Sequence, residues 1–147
     1  MQNTLKSPAT FTGFGLHSGE PVRMTVRPAV VDHGIWFRRV DVTDRNALIA
    51  ARWDCVTPSK LCTVIENADG VSVSTIEHVM AALAGSGIHN ALVEIDGPEV
   101  PILDGSAAGF VQAFLRRGLR TLGAPVRAIE ILAPVEVRDG SASARLV

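Results

Sequence analysis

The sequence has 147 residues, 47% of them hydrophobic and 20% charged, the composition of a globular chain long enough to bury roughly 70% of the surface it exposes when unfolded. With 14 Lys and Arg against 15 Asp and Glu the formal net charge is -1, so no basic field exists to hold a polyanion, and nucleic acid is excluded as an expected partner. No stretch approaches the roughly 18 apolar residues of a membrane span, and Met1 to Thr10 lacks the apolar core of an export signal; the expectation is a soluble cytoplasmic protein that does not span a membrane.

Turn residues recur at short intervals, and most segments between them carry hydrophobicity with a period of two, which predicts several strands and few helices. The glycine-rich stretch Gly13 to Gly19, which contains His17, reads as a tight turn between strands. Val22, Met24 and Val26 then alternate with Arg23, Thr25 and Arg27 up to Pro28, the pattern of a half-buried strand. Ile35 to Arg39, Ala47 to Ala51, Cys62 to Glu66 and Val71 to Val73 are further strands, the last two joined by the hairpin signal Asn67-Ala68-Asp69-Gly70.

From Ser74 to Leu83 the spacing changes. Ile76, Val79, Met80 and Leu83 share one helical face, Ser74 and Glu77 have the spacing of a capping box, and Gly85 follows the last turn. Ala91 to Ile95 is another strand. Pro98 to Ser106 reads as a stiffened lead whose polar groups are accounted for by caps and prolines, with Asp104 or Ser106 as N-cap of a second helix over Ser106 to Leu115. Arg116, Arg117 and Gly118 close that helix. These elements predict an α+β two-layer sandwich, a mostly antiparallel sheet with two amphipathic helices packed on one face. Residues 1–124 form that domain; residues 125–147 read as a β-hairpin turning at Asp139-Gly140, which either joins the preceding sheet or opens a second domain left incomplete here.

Chemistry concentrates at Glu77-His78. Turning the helix at about 100° per residue sends His78 away from the apolar face, and both residues lie in the first turn, where free N–H groups favour a carboxylate. An imidazole that ligates a metal and a carboxylate that takes a proton from water are what a metal-dependent hydrolase needs. A capped structural helix explains Glu77 as well, so spacing alone leaves both open. Position 82 is Ala, so this helix supplies one ligand at most, and neither His17, His33 nor His89 has an acidic residue or histidine four positions later. His33 and His89 read as solvated turn residues. Cys55 and Cys62 fit neither a redox pair nor a zinc knuckle and read as reduced, buried thiols. Leu61-Cys62-Thr63 offers a thiol and a hydroxyl at a strand start.

Taken together, Gly15-Leu16-His17-Ser18-Gly19, Leu61-Cys62-Thr63, Ser74 to Leu83 and Pro101-Ile102-Leu103-Asp104-Gly105-Ser106-Ala107-Ala108 stand in the order and approximate spacing of the UDP-3-O-acyl-N-acetylglucosamine deacetylases, which the chain resembles from about Thr4 onward. The resemblance implies a zinc amidohydrolase of lipid A biosynthesis in Gram-negative bacteria. Such an enzyme is cytoplasmic and monomeric, and it releases acetate from a small-molecule substrate, an acylated UDP-glucosamine. It implies Zn2+ as cofactor with His78 as a ligand, Glu77 as general base, Leu61, Cys62 and Thr63 beside the metal pocket, and His17 as a substrate contact. In that family two further ligands, on a His-x-x-x-Asp helix, and a histidine general acid come from a second domain. None is present here, so the resemblance implies an amino-terminal part that is inactive alone. The competing expectations are a non-catalytic α+β binding module and a degenerate relative that binds the nucleotide sugar without hydrolysing it.

Overall fold

A computed structural model describes residues 1–147. Its strands are β1 (Asn3–Leu5), β2 (Ala9–Phe14), β3 (Pro21–Pro28), β4 (Ile35–Arg39), β5 (Leu48–Ala50), β6 (Val56–Thr57), β7 (Val64–Glu66), β8 (Ser72–Ser74), β9 (Ala91–Ile95), β10 (Leu119–Thr121), β11 (Val135–Asp139) and β12 (Ala142–Leu146). Its helices are α1 (Glu77–Gly85) and α2 (Ala108–Arg117), with a single 3-10 turn at Trp53–Cys55. The main sheet runs β2-β3-β9-β4-β5, antiparallel except where β4 lies parallel to β9. A small sheet β6-β7-β8 leads into α1, and β1 pairs with β10.

Alternation decides which face of the main sheet is covered. Ala9, Phe11, Met24, Val26, Phe37, Val93 and Ile95 point inward and are buried, in one core with Val79 and Leu83 of α1 and Phe110 and Phe114 of α2. The opposite face carries the Thr10–Thr25 hydroxyl pair and the Arg27–Glu94 ion pair. Helices on one face of a largely antiparallel sheet are the expected α+β two-layer arrangement. Neither helix is long and apolar enough to cross a membrane.

Several boundaries differ from the sequence expectation, each for a local reason. Ser74 does not cap α1: it ends β8, and its backbone N–H and hydroxyl both donate to the Pro98 carbonyl (2.9 and 3.2 Å). Thr75 then turns at φ 57°, so the helix starts at Glu77 with Ile76 at the N-cap position. The second helix starts two positions later than expected; Ser106 Oγ accepts from the Ala108 N–H at 3.1 Å, and Asp104 in turn accepts from Ser106. The strand expected over Cys62 to Glu66 begins at Val64. β1, β6 and β10 match no strand expected from the sequence, and β2 supplies the strand implied before the glycine-rich turn. The Asn67–Gly70 turn is as expected, with Gly70 at φ 73° and the Asn67 side chain accepting from the Asp69 and Val71 N–H groups.

His89 is a correction to the solvated reading. It is half-buried, and its Nδ1 accepts the Asn3 N–H at 3.1 Å, meeting a donor that the short β1 strand leaves unpaired. His33 is likewise half-buried, against the Gly34 carbonyl. Cys55 and Cys62 are unpaired and only partly buried. The β11–β12 pair stands as a separate two-stranded sheet, and every residue from Pro125 to Val147 is exposed.

Candidate active site

Four segments converge at the start of α1. Glu77 and His78 occupy its first two positions, both half-buried, while Val79, Ala82 and Leu83 face the core. The Glu77 carboxylate does not fold back on its own helix. Its Oε2 accepts the Thr63 N–H at 3.0 Å, while the Thr63 carbonyl accepts the Ile76 N–H at 3.5 Å. Thr63 therefore fixes one carboxylate oxygen and leaves the other free to take a proton. Of its neighbours, Cys62 lies 3.5 Å from the Ser59 hydroxyl, and Leu61 is 79% exposed.

The third segment is the loop carrying His17, whose ring is exposed. The loop is held by a residue that the sequence did not single out. Glu99 is only 2% exposed, and its carboxylate accepts from the His17 N–H (3.0 and 3.2 Å), the Ser18 N–H (2.8 Å) and the Thr75 hydroxyl (2.8 Å). The expectation that caps and prolines account for the polar groups of residues 98–106 fails here. The only sequence signal was a glutamate between Pro98 and Pro101, close to the edge of β8.

Burial by itself would raise the Glu99 carboxyl, but hydrogen bonds, first from the His17 and Ser18 backbone and then from Thr75, outweigh it and bring it from 4.5 down to about 2. Between those values the folded state binds fewer protons than the unfolded state, so stability is full above about 4.5 and falls as pH drops toward about 2. The loss amounts to ~3 kcal/mol. Denaturant unfolding from pH 7 to pH 2 is expected to show this slope, and Glu99→Gln to flatten it; an unchanged slope in the variant would assign the acid sensitivity elsewhere.

The fourth segment holds Asp104. Its carboxyl is lowered first by the Ser106 hydroxyl and then by the Ser106 N–H, and the His78 imidazole is near enough to add a Coulombic pull in the same direction. Thr75 and Leu103, which precede the two acidic positions, adopt φ of 57° and 54°. Left-handed backbone at a β-branched or bulky residue costs about 1–3 kcal/mol and persists where surrounding contacts over-determine it, as they do at functional sites. At Thr75 the bond to Glu99 and the neighbouring Ser74–Glu99 bridge supply those contacts.

One surface cleft, of about 540 Å3, is lined by Thr12, Phe14, Arg23 and Asp96 among others and by none of the candidate residues. No three of the chain's His, Cys, Asp and Glu residues are grouped closely enough to hold a metal ion.

Fold and site together define a two-layer α+β domain that presents a carboxylate and an imidazole at one helix start. A family model described as UDP-3-O-acyl N-acetylglycosamine deacetylase matches residues 2–147. The chain is 54% identical over 145 residues to the UDP-3-O-acyl-N-acetylglucosamine deacetylase of Phenylobacterium zucineum, covering 99% of this chain and 50% of that relative. It is 48% identical over 145 residues to the protein of that name from Pseudoalteromonas atlantica (99% of this chain, 47% of the relative), and 47% identical over 146 residues to that of Vibrio cholerae (99% and 48%). The chain belongs to this deacetylase family. It spans about half the length of the curated relatives it matches.

Proposed function

We propose that the protein carrying this chain hydrolyses the acetamide of UDP-3-O-acyl-N-acetylglucosamine and releases acetate, a zinc-dependent early step of lipid A biosynthesis in the Gram-negative cytoplasm, acting as a monomer on this small-molecule substrate. The observation that carries this reading is the Glu77–His78 pair, with one Glu77 oxygen anchored on the Thr63 N–H, in a chain matched to the family along nearly its whole length. A zinc ion, when bound, would polarise the amide carbonyl and the attacking water. His78 is the ligand assigned to this chain, and the remaining donors are assigned to the other half of the protein. Residues 1–124 then form the first domain, and residues 125–147 open the second.

Within this chain, Glu77 takes the proton from the attacking water, held in place by Thr63. Thr63, with Cys62 and Leu61, lines the approach to the reacting centre, and His17 meets the substrate from the opposite loop. The test is made on the full-length protein. Wild type is expected to release acetate from the acylated UDP-sugar and to lose that activity on chelation. His78→Ala is expected to lower bound zinc, measured by elemental analysis, at least about tenfold, in line with the loss of one donor from a small ligand set. Absence of acetate release, or an unchanged zinc content in His78→Ala, would sink the reading.

A further inference from the structure

A carboxylate removed from water is costly unless its lone pairs are met, and Glu99 has no cationic partner among the ion pairs of the fold. Its donors come from two separate segments. The His17 N–H reaches both oxygens; Oε1 also accepts the Thr75 hydroxyl and Oε2 the Ser18 N–H. The other hydrogen bonds of residues 16–19 stay inside the loop: the Gly19 N–H donates to the Gly15 carbonyl, and the Glu20 N–H to the Ser18 hydroxyl. Glu99 is therefore the polar link between the loop that exposes the His17 ring and the turn that launches Glu77 and His78. The fit is close: a Cβ at Gly15 would collide with both the Glu99 carboxylate and the Ser18 hydroxyl, so only glycine lets the loop close over this carboxylate.

We propose that Glu99 is a positioning residue of the deacetylation site, its single buried carboxylate fixing the His17 loop against the Thr75 turn so that His17, Glu77 and His78 are presented in one arrangement. The proposal rests on the deacetylase reading above. Glu99 touches neither water nor substrate in the reaction; it acts through the groups it holds.

The test uses the full-length enzyme. Glu99→Gln keeps the size of the side chain but can turn an oxygen to only half of the donor set and sets an NH2 group against the other half. Misplacement of a reacting group by about 1 Å can cost on the order of 10²-fold, and a fall of that order is expected in kcat/KM for acetate release. The His17 and Ser18 amides are expected to exchange with solvent at least about tenfold faster, while the β3 amides keep wild-type rates. Gly15→Ala displaces the same carboxylate without altering it, and is expected to reproduce both changes even if Glu99→Gln folds poorly.

In a His17→Ala background the kinetic loss caused by Glu99→Gln is expected to shrink, because part of it runs through the missing ring. A loss that multiplies unchanged in that background points to weakened folding alone and overturns the proposal. So do wild-type exchange rates at His17 and Ser18 in both single variants. A wild-type enzyme that releases no acetate refutes the deacetylase reading instead, and the exchange rates then still decide whether Glu99 holds the loop.

Discussion

Glu77→Gln is expected to lower kcat of the full-length enzyme by roughly 10²–10⁴-fold, the range attributed to a positioned general base, while bound zinc stays at the wild-type level. Glutamine retains an oxygen that can accept the Thr63 N–H, now 3.0 Å from Glu77 Oε2, so the anchor survives. What is lost is the oxygen proposed to take a proton from water. Glu77→Ala removes both, leaving the Thr63 N–H without its acceptor, and is expected to add a stability loss of about 1 kcal/mol to the same kinetic defect. Steady-state kinetics, elemental analysis and a thermal melt on the two variants separate the roles. A kcat for Glu77→Gln within tenfold of wild type would reduce the carboxylate to an anchor for the Thr63 strand.

The contrast between those roles also marks the limit of what the sequence made legible. α1 was visible because Ile76, Val79 and Leu83 recur at helical spacing, and β4 and β9 because short apolar runs stand between turn residues. Of the two readings that spacing left open for Glu77, the capping box is not formed: the carboxylate's partner is a backbone N–H 14 residues earlier, brought close only by the β7–β8 hairpin. β1 escaped for the same reason: three residues near the amino terminus pair with Leu119–Thr121 across nearly the whole chain. A strand that short carries no periodicity of its own.

Glu99 is the sharpest case. In sequence, a glutamate beside prolines is indistinguishable from a solvated loop residue. Its burial follows from donors at residues 17, 18 and 75, none of which is a neighbour in the chain. Local patterns thus gave the scaffold and placed Glu77 and His78 in the first turn of a helix, whereas the long-range groups around them became visible only in three dimensions.

Phe110→Ala is expected to destabilise the fold by about 3–5 kcal/mol, the cost of removing a fully buried aromatic ring from a packed core. Phe110 is completely buried, and its ring lies 4.9 Å from that of Phe11 at an interplanar angle of 57°; Phe114, also completely buried, meets Phe11 edge-on at 5.9 Å. These tilted and edge contacts join α2 to β2, and such pairs add about 0.5–1.5 kcal/mol beyond the area they bury. The junction matters for the site because the His17 loop continues from the end of β2 at Phe14, while Asp104 and Ser106 lie just before α2.

Leu115 provides the control. It sits on the same helix but is 63% exposed, so Leu115→Ala is expected to change stability by less than about 0.5 kcal/mol. In urea, Phe110→Ala should move the midpoint downward with little change in slope, since the surface exposed on unfolding is nearly the same. Well below its melting temperature the folded fraction of Phe110→Ala should keep a near-wild-type kcat, the opposite signature to Glu77→Gln. A cost below about 1 kcal/mol for Phe110→Ala would mean that the three-ring cluster does not bind α2 to the sheet, and the register that holds the His17 loop beside α1 would then have to be set elsewhere.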